Sequence, residues 1–194
     1  MSNGNRLNGK DLINIGIYTA IYFVIVIALA MTGLIPVLLL LLSSMIALIG
    51  GIPFMLFLTK VKKPGMIFIM SLILGILMLA TGMTWMPIPV AALTGLIAEL
   101  IWRAGKYSSM KHAVLTHAVF ALWGIGNYLP LYLMRDDYFS TRQQYGQAYV
   151  DGVMKLTPVW MLPVIIIMTF VFGLVGSLIG KALLKKHFKK AGIA

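Results

Sequence analysis

Long apolar runs, separated by short polar or basic breaks, account for almost the whole chain. The first run covers 12–31 and stops at Gly33 and Pro36, which predict a tight turn. The second covers 34–58, where Gly50, Gly51 and Pro53 predict a kink near the far end. A basic turn from Lys60 to Gly65 closes it. The third run covers 66–81 and ends at Gly82, and the stretch from Met83 to Pro89 predicts a rigid turn carrying Trp85. The fourth and fifth runs, 88–102 and 112–134, flank a basic loop from Arg103 to Lys111. Then comes the one long polar stretch, 135–157, with three of the five acidic residues: Asp136, Asp137 and Asp151. Pro158 opens the sixth run, 158–184, and a basic tail follows. A bilayer-crossing helix needs about 20 mostly apolar residues. The pattern therefore predicts an all-α integral membrane protein of six transmembrane helices in a single domain.

Composition leaves little room for a soluble alternative. Of 194 residues, 60% are hydrophobic and 11% charged, with a mean hydropathy of +0.95. A water-soluble domain of this length could not cover so much apolar side chain. Cysteine is absent, which removes disulfides and thiolate metal sites. The basic segment before the first run and Ala28-Leu29-Ala30 resemble parts of a secretion leader, but the run exceeds a leader's apolar core of about 7–15 residues and reads as a span.

The net charge of +11 raises nucleic acid as a partner, but no basic-aromatic recognition module accompanies it, and none is expected to bind. The charges instead obey a topological rule. With the N-terminus inside, Arg6, Lys10, Lys60, Lys62, Lys63, Arg103, Lys106, Lys111, Lys181, Lys185, Lys186, Lys189 and Lys190 are all internal. Only Arg135, Arg142 and Lys155 are external. Positive residues favour the cytoplasmic side, so both termini are expected in the cytoplasm and 135–157 outside.

Candidate chemistry is sparse. Small-molecule sites combine apolar walls with a few placed polar groups, and the segment from Trp123 to Pro130 has that mixture in Trp123, Asn127 and Tyr128. Its plainer reading is a helix-packing notch. In the polar stretch Arg135, Asp136 and Tyr138 could recognise a charged ligand, since arginine suits bidentate contact with carboxylate or phosphate; a solvated local pair is the alternative. The segment from Gln143 to Val153 has the pattern of a short amphipathic helix on the membrane surface. Trp85 and Trp160 would complete an aromatic rim or mark the interface. Glu99, the one acidic residue inside a span, fits an i,i+4 pair with Arg103 better than a coupling site. His117 fits a hydrogen bond to a neighbouring helix better than a metal or haem ligand. The 14 methionines are scattered and read as packing. No metal site, cofactor or catalytic residue is expected. There is no H-E-x-x-H motif, no second intramembrane carboxylate and no phosphate-binding G-x-x-x-x-G-K-[ST] loop, so the chain is not expected to be an enzyme.

These residues bear a family likeness. Lys10-Asp11-Leu12-Ile13 opens the first span. GGIPFMLFLTKVKKPG runs from Gly50 to Gly65, Ala104-Gly105-Lys106-Tyr107 follows the fourth span, and Arg135-Asp136-Asp137-Tyr138-Phe139 opens the polar stretch. With the ending LLKKHFKKAGIA, they make the chain resemble an S-component, the substrate-binding membrane subunit of an energy-coupling-factor (ECF) transporter. It is most similar to the Trep_Strep, or MptD, set, over essentially its whole length. The resemblance implies a six-helix bundle in a bacterial plasma membrane, with a pocket near the outer face for a vitamin, precursor, haem or metal chelate. It also implies a transmembrane coupling subunit and two cytoplasmic ATPases as partners. S-components dock through an alanine-xxx-alanine pair in the first span; Gly16 and Ala20 occupy that spacing here, with glycine in place of the first alanine. An autonomous secondary transporter is the competing class, though paired intramembrane ionisable groups and internal repeats are not evident.

Overall fold

A computed structural model of the chain describes residues 6–191, apart from the side chains of Phe188 and Ala191. The first residues of the polar N-terminus and the last of the basic tail lie outside the described residues. Within them the chain is helical, with no strand. Four helices are long and apolar enough to cross a membrane: α1 (Gly9–Ala30, prolonged by a 3₁₀ turn to Leu34), α2 (Pro36–Leu58), α4 (Pro87–Ala104) and α9 (Met161–Leu183). A shorter apolar helix, α3 (Met66–Ala80), packs along α4.

Local chemistry explains the helix starts. Asn8 and Asp11 form a reciprocal capping box: Asn8 Oδ1 accepts from the Asp11 amide at 3.0 Å and Asp11 Oδ2 from the Asn8 amide at 2.9 Å. That satisfies two of the four amides a helix start leaves open. Pro36 and Pro87 stand in the first turns of α2 and α4, where a missing N–H costs nothing. No side chain of its own turn caps α3. Glu99 of α4 does so, with Oε2 accepting from the amides of Ile67 at 2.9 Å and Phe68 at 3.4 Å. The expected Glu99–Arg103 pair is therefore replaced by a cap between helices, because a buried carboxylate gains more from two open amides than from a cation reaching for water.

The structure departs from the sequence pattern in four further places. The expected interruption at Gly50, Gly51 and Pro53 does not end α2, which is helical on both sides of them with Pro53 in its interior. The fifth run is not one helix: α5 (Met110–Phe120) gives way to a 3₁₀ segment, Ala121–Asn127, and then to the short α6 (Leu129–Leu133). The polar stretch holds more helix than the one expected over Gln143–Val153: α7 (Arg135–Ser140), a 3₁₀ turn, and α8 (Gln147–Leu156), which takes up most of the expected helix but starts four residues later. And Pro158 does not open the last long helix, which starts at Met161. A further helix, α10 (Lys185–Ala191), ends the described chain.

Contacts between distant segments define two ends of the bundle. At the basic end Lys63 Nζ donates to Asp11 Oδ2 at 2.7 Å and to the Arg6 carbonyl at 3.0 Å, and Trp102 Nε1 donates to the Val61 carbonyl at 3.3 Å. At the opposite end the 3₁₀ segment and α8 meet the start of α2, and the close approach of Gly126 to Pro87 joins that segment to the start of α4. Between them, α2 and α9 cross backbone to backbone. A Cβ on Gly51 would collide with the Gly176 backbone, and one on Gly176 with the carbonyls of Ala47 and Leu48. Tyr22, Phe54, Phe120 and Trp123 form the aromatic core, with ring centroids 4.3 Å apart for Phe54–Phe120 and 5.6 Å for Tyr22–Phe120. Outward-facing Ile17, Val24, Leu93, Leu100, Ile167 and Leu178 make a surface suited to lipid, not to water.

Candidate functional site

The end of the bundle opposite the basic loops holds a cavity of about 180 Å³. Its apolar wall comes from Val26 and Ala30 of α1, Leu39, Leu42 and Ile46 of α2, and Met78 of α3. Trp123, Gly124 and Asn127 of the 3₁₀ segment close one side, and Tyr138, Arg142, Tyr145 and Tyr149 form the roof. An apolar cavity of about 150 Å³ accepts a benzene molecule, so this space matches one small ring system.

The tightening to 3₁₀ geometry places the polar atoms. Gly124 lets the segment approach α2, and a Cβ there would stand 2.9 Å from Ser43 Oγ. Tyr128, at the end of the segment, is strapped to α2: its hydroxyl donates to the Leu39 carbonyl at 2.6 Å and accepts from the Ser43 amide at 3.0 Å. Three buried polar atoms on residues lining the cavity have no hydrogen-bond partner: Ser43 Oγ, Trp123 Nε1 and Asn127 Oδ1. Buried polar groups are normally paired, so these are the groups a ligand could satisfy.

The roof has its own small core, in which Phe139, Val150 and Val153 pack on Leu131. The apolar face of α8 is thus buried against the protein, not laid on the membrane surface. Tyr149 donates its hydroxyl to the Gly33 carbonyl at 3.0 Å, tying roof to wall. Burial, with nearby Tyr138 adding to it, pushes the Tyr149 phenol up to about 12. A second cavity of about 230 Å³ adjoins the first, and Met83, Asn127, Tyr138 and Arg142 line both. The Arg142 guanidinium carbon lies over the Tyr138 ring, 3.7 Å from its centroid, and the pair lines both chambers.

Of the residues expected to bind, Trp123, Asn127, Tyr128 and Tyr138 line the cavity together. Arg135 does not. Its guanidinium donates to the carbonyls of Thr157 at 2.9 Å and Met154 at 3.1 Å and sits over the Phe139 ring, clipping α7 to the end of α8. Asp136 is exposed on the outside of α7. Trp85 and Trp160 are 61% and 64% exposed and line neither chamber. Sequence reasoning passed over Arg142, Tyr145 and Tyr149. The tyrosine density of the polar stretch was the signal that could have found them.

The sequence profile of a family described as a hypothetical bacterial integral membrane protein (Trep_Strep) matches residues 9–190. The chain belongs to the Trep_Strep family. No curated protein and no solved structure matches it. In this Trep_Strep protein His117 is fully buried, with Nδ1 3.0 Å from both the Gly173 carbonyl and Ser177 Oγ of α9, the helix-to-helix bond its position suggested. Among the described residues no group of three or more His, Cys, Asp or Glu could hold a metal ion. Gly16 and Ala20 of the Trep_Strep chain share an exposed face of α1, and a Cβ added at Gly16 would meet nothing within 4 Å. They do not pack inside this bundle.

Proposed function

We propose that this Trep_Strep protein is the substrate-binding subunit of an ECF-type importer in the bacterial plasma membrane. It captures a small molecule at the outer face and delivers it inward when docked on a transmembrane coupling subunit and two cytoplasmic ATPases. The observation that carries this reading is the roofed apolar cavity at the bundle end away from the basic loops. With positive residues inside, that end faces the exterior, and the roof covers the cavity from the side on which a nutrient arrives.

In this reading α3 and the Met110–Leu133 segment cross the membrane beside the four long helices, with α3, at 15 residues and about 1.5 Å each, the shortest pass. At 1.5 Å per α-helical and about 2.0 Å per 3₁₀ residue, the broken rod from Met110 to Leu133 reaches roughly 35–40 Å, beyond the hydrocarbon thickness of about 30 Å. The outward-facing Gly16–Ala20 patch supports docking, because small residues let helices approach closely where lipid removes the hydrophobic drive. In this reading the chain binds and releases cargo and performs no catalysis.

Affinity purification of the tagged protein from native membranes tests it. Recovery of a coupling subunit and two ATPases, lost on Gly16→Leu or Ala20→Leu, is the expected result. Recovery of the protein alone, with full transport activity in liposomes, would overturn the reading in favour of a secondary transporter.

A further inference from the structure

We propose that the cavity takes a soluble organic anion, a flat and largely apolar molecule whose carboxylate-type group is held by Arg142. This rests on the cavity being the substrate site, but not on any coupling partner. Among the described residues Arg142 is the one charged side chain lining the inner chamber. Stacking on Tyr138 satisfies a face of its guanidinium. Nη1 donates to the Tyr138 carbonyl at 3.0 Å and to Thr141 Oγ1 at 3.2 Å, and the Tyr138 hydroxyl is a further hydrogen-bond partner of the guanidinium, so these contacts use only part of its five N–H donors. Part of the planar fork is therefore open. Asp137 lines the outer chamber and makes no ion pair with Arg142, and among the described residues no carboxylate lines the inner one.

Arg135 shows the contrast, since its fork is already taken up by the carbonyls of Met154 and Thr157. An anion is the ligand that completes Arg142, because charge-assisted bidentate pairing is what the guanidinium geometry favours. A cation would meet like charge, and a neutral molecule would leave the fork unmatched. Deeper in, the apolar wall of Val26, Leu42 and Ile46 takes the body of the molecule.

The test uses the full chain in phosphatidylcholine nanodiscs, with empty nanodiscs as reference, and calorimetric titration of three probes sharing one ring system. These are 1-naphthoate, 1-naphthylmethanol and 1-naphthylmethylammonium. Naphthoate is expected to bind at least about 10-fold more tightly than the alcohol, with the ammonium weakest. Arg142→Gln is expected to cost naphthoate about 10- to 100-fold and leave the alcohol unchanged, with Arg142→Lys intermediate. If Arg142→Gln does not fold, the wild-type ranking and Arg142→Lys decide. Equal or reversed ranking, no binding by any probe, or selectivity unchanged in the folded Arg142→Gln variant would overturn the proposal. An anionic bilayer would itself repel the probe, so the lipid alternative is tested in the same phosphatidylcholine nanodiscs with soluble glycerol 1-phosphate as competitor. Naphthoate binding should be unaffected, and its displacement would assign the cavity to an anionic lipid headgroup and overturn the proposal. Anion preference without ATPase recovery would leave this inference standing and remove the importer reading; the reverse result would do the opposite.

Discussion

Replacing Arg135 with alanine removes the clip between the two helices of the roof and leaves the cavity wall intact. The lost bonds run to the Thr157 carbonyl at 2.9 Å and the Met154 carbonyl at 3.1 Å, acceptors that the end of α8 cannot satisfy internally. Hydrogen bonds from a charged donor contribute about 1.5–3 kcal/mol each when well buried. Arg135 is half-exposed and its bonds share one side chain, so we expect about 2 kcal/mol in all for the closed roof. At about 1.4 kcal/mol per tenfold, that is roughly a 30-fold rise in the open population. Amide hydrogen exchange should report it as faster exchange across α7 and α8, with protection in α2 and α9 unchanged. Arg135→Lys keeps the charge without the fork and should fall between. Unchanged α8 protection would refute the clip. Loss of protection throughout the bundle would refute the idea that the roof opens independently of its base.

Three further outcomes follow from described contacts. Glu99→Ala should leave the Ile67 and Phe68 amides unpaired at the start of α3, costing about 1–3 kcal/mol and lowering the detergent melting temperature; Glu99→Gln keeps an acceptor and should cost less. Gly176→Leu should abolish stable accumulation of folded protein, because its side chain would have to occupy the α2 backbone; size-exclusion profiles would check it. The Tyr149 phenol, held protonated to about 12 in the closed roof, ionises near 10 once exposed. The closed roof then binds more protons than the open one between those values, so roof protection should fall as pH rises through that window. Tyr149→Phe should remove this part of the slope.

Apolar periodicity made the long helices legible, since α1, α2, α4 and α9 are uninterrupted stretches that only lipid or a large core could accept. The segment around Trp123, Asn127 and Tyr128 was also legible, because two glycines beside aromatic and amide groups imply a close approach. What could not be read was azimuth. Arg135 opens α7 and Arg142 follows its end, and only the folded course of α7 and of the turn after it decides which one stacks on Tyr138 and which reaches Thr157. The same limit applies to Trp85 and Trp160: a tryptophan at a bilayer interface has the same sequence context whether it faces lipid or a cavity. Glu99 found partners 32 residues away, a distance that no local spacing rule spans.

The 3₁₀ segment, Ala121–Asn127, also sets an angle. A residue in 3₁₀ geometry turns the chain by about 120° and advances it about 2.0 Å, against 100° and 1.5 Å in an α-helix. Each residue that relaxed to the α form would thus rotate everything beyond it by about 20° and retract it by about 0.5 Å. Tyr128 lies directly beyond this segment, and α6 and α7 follow. The seven tightened residues therefore act as a screw thread, and their pitch fixes the direction in which α6 and α7 leave the bundle.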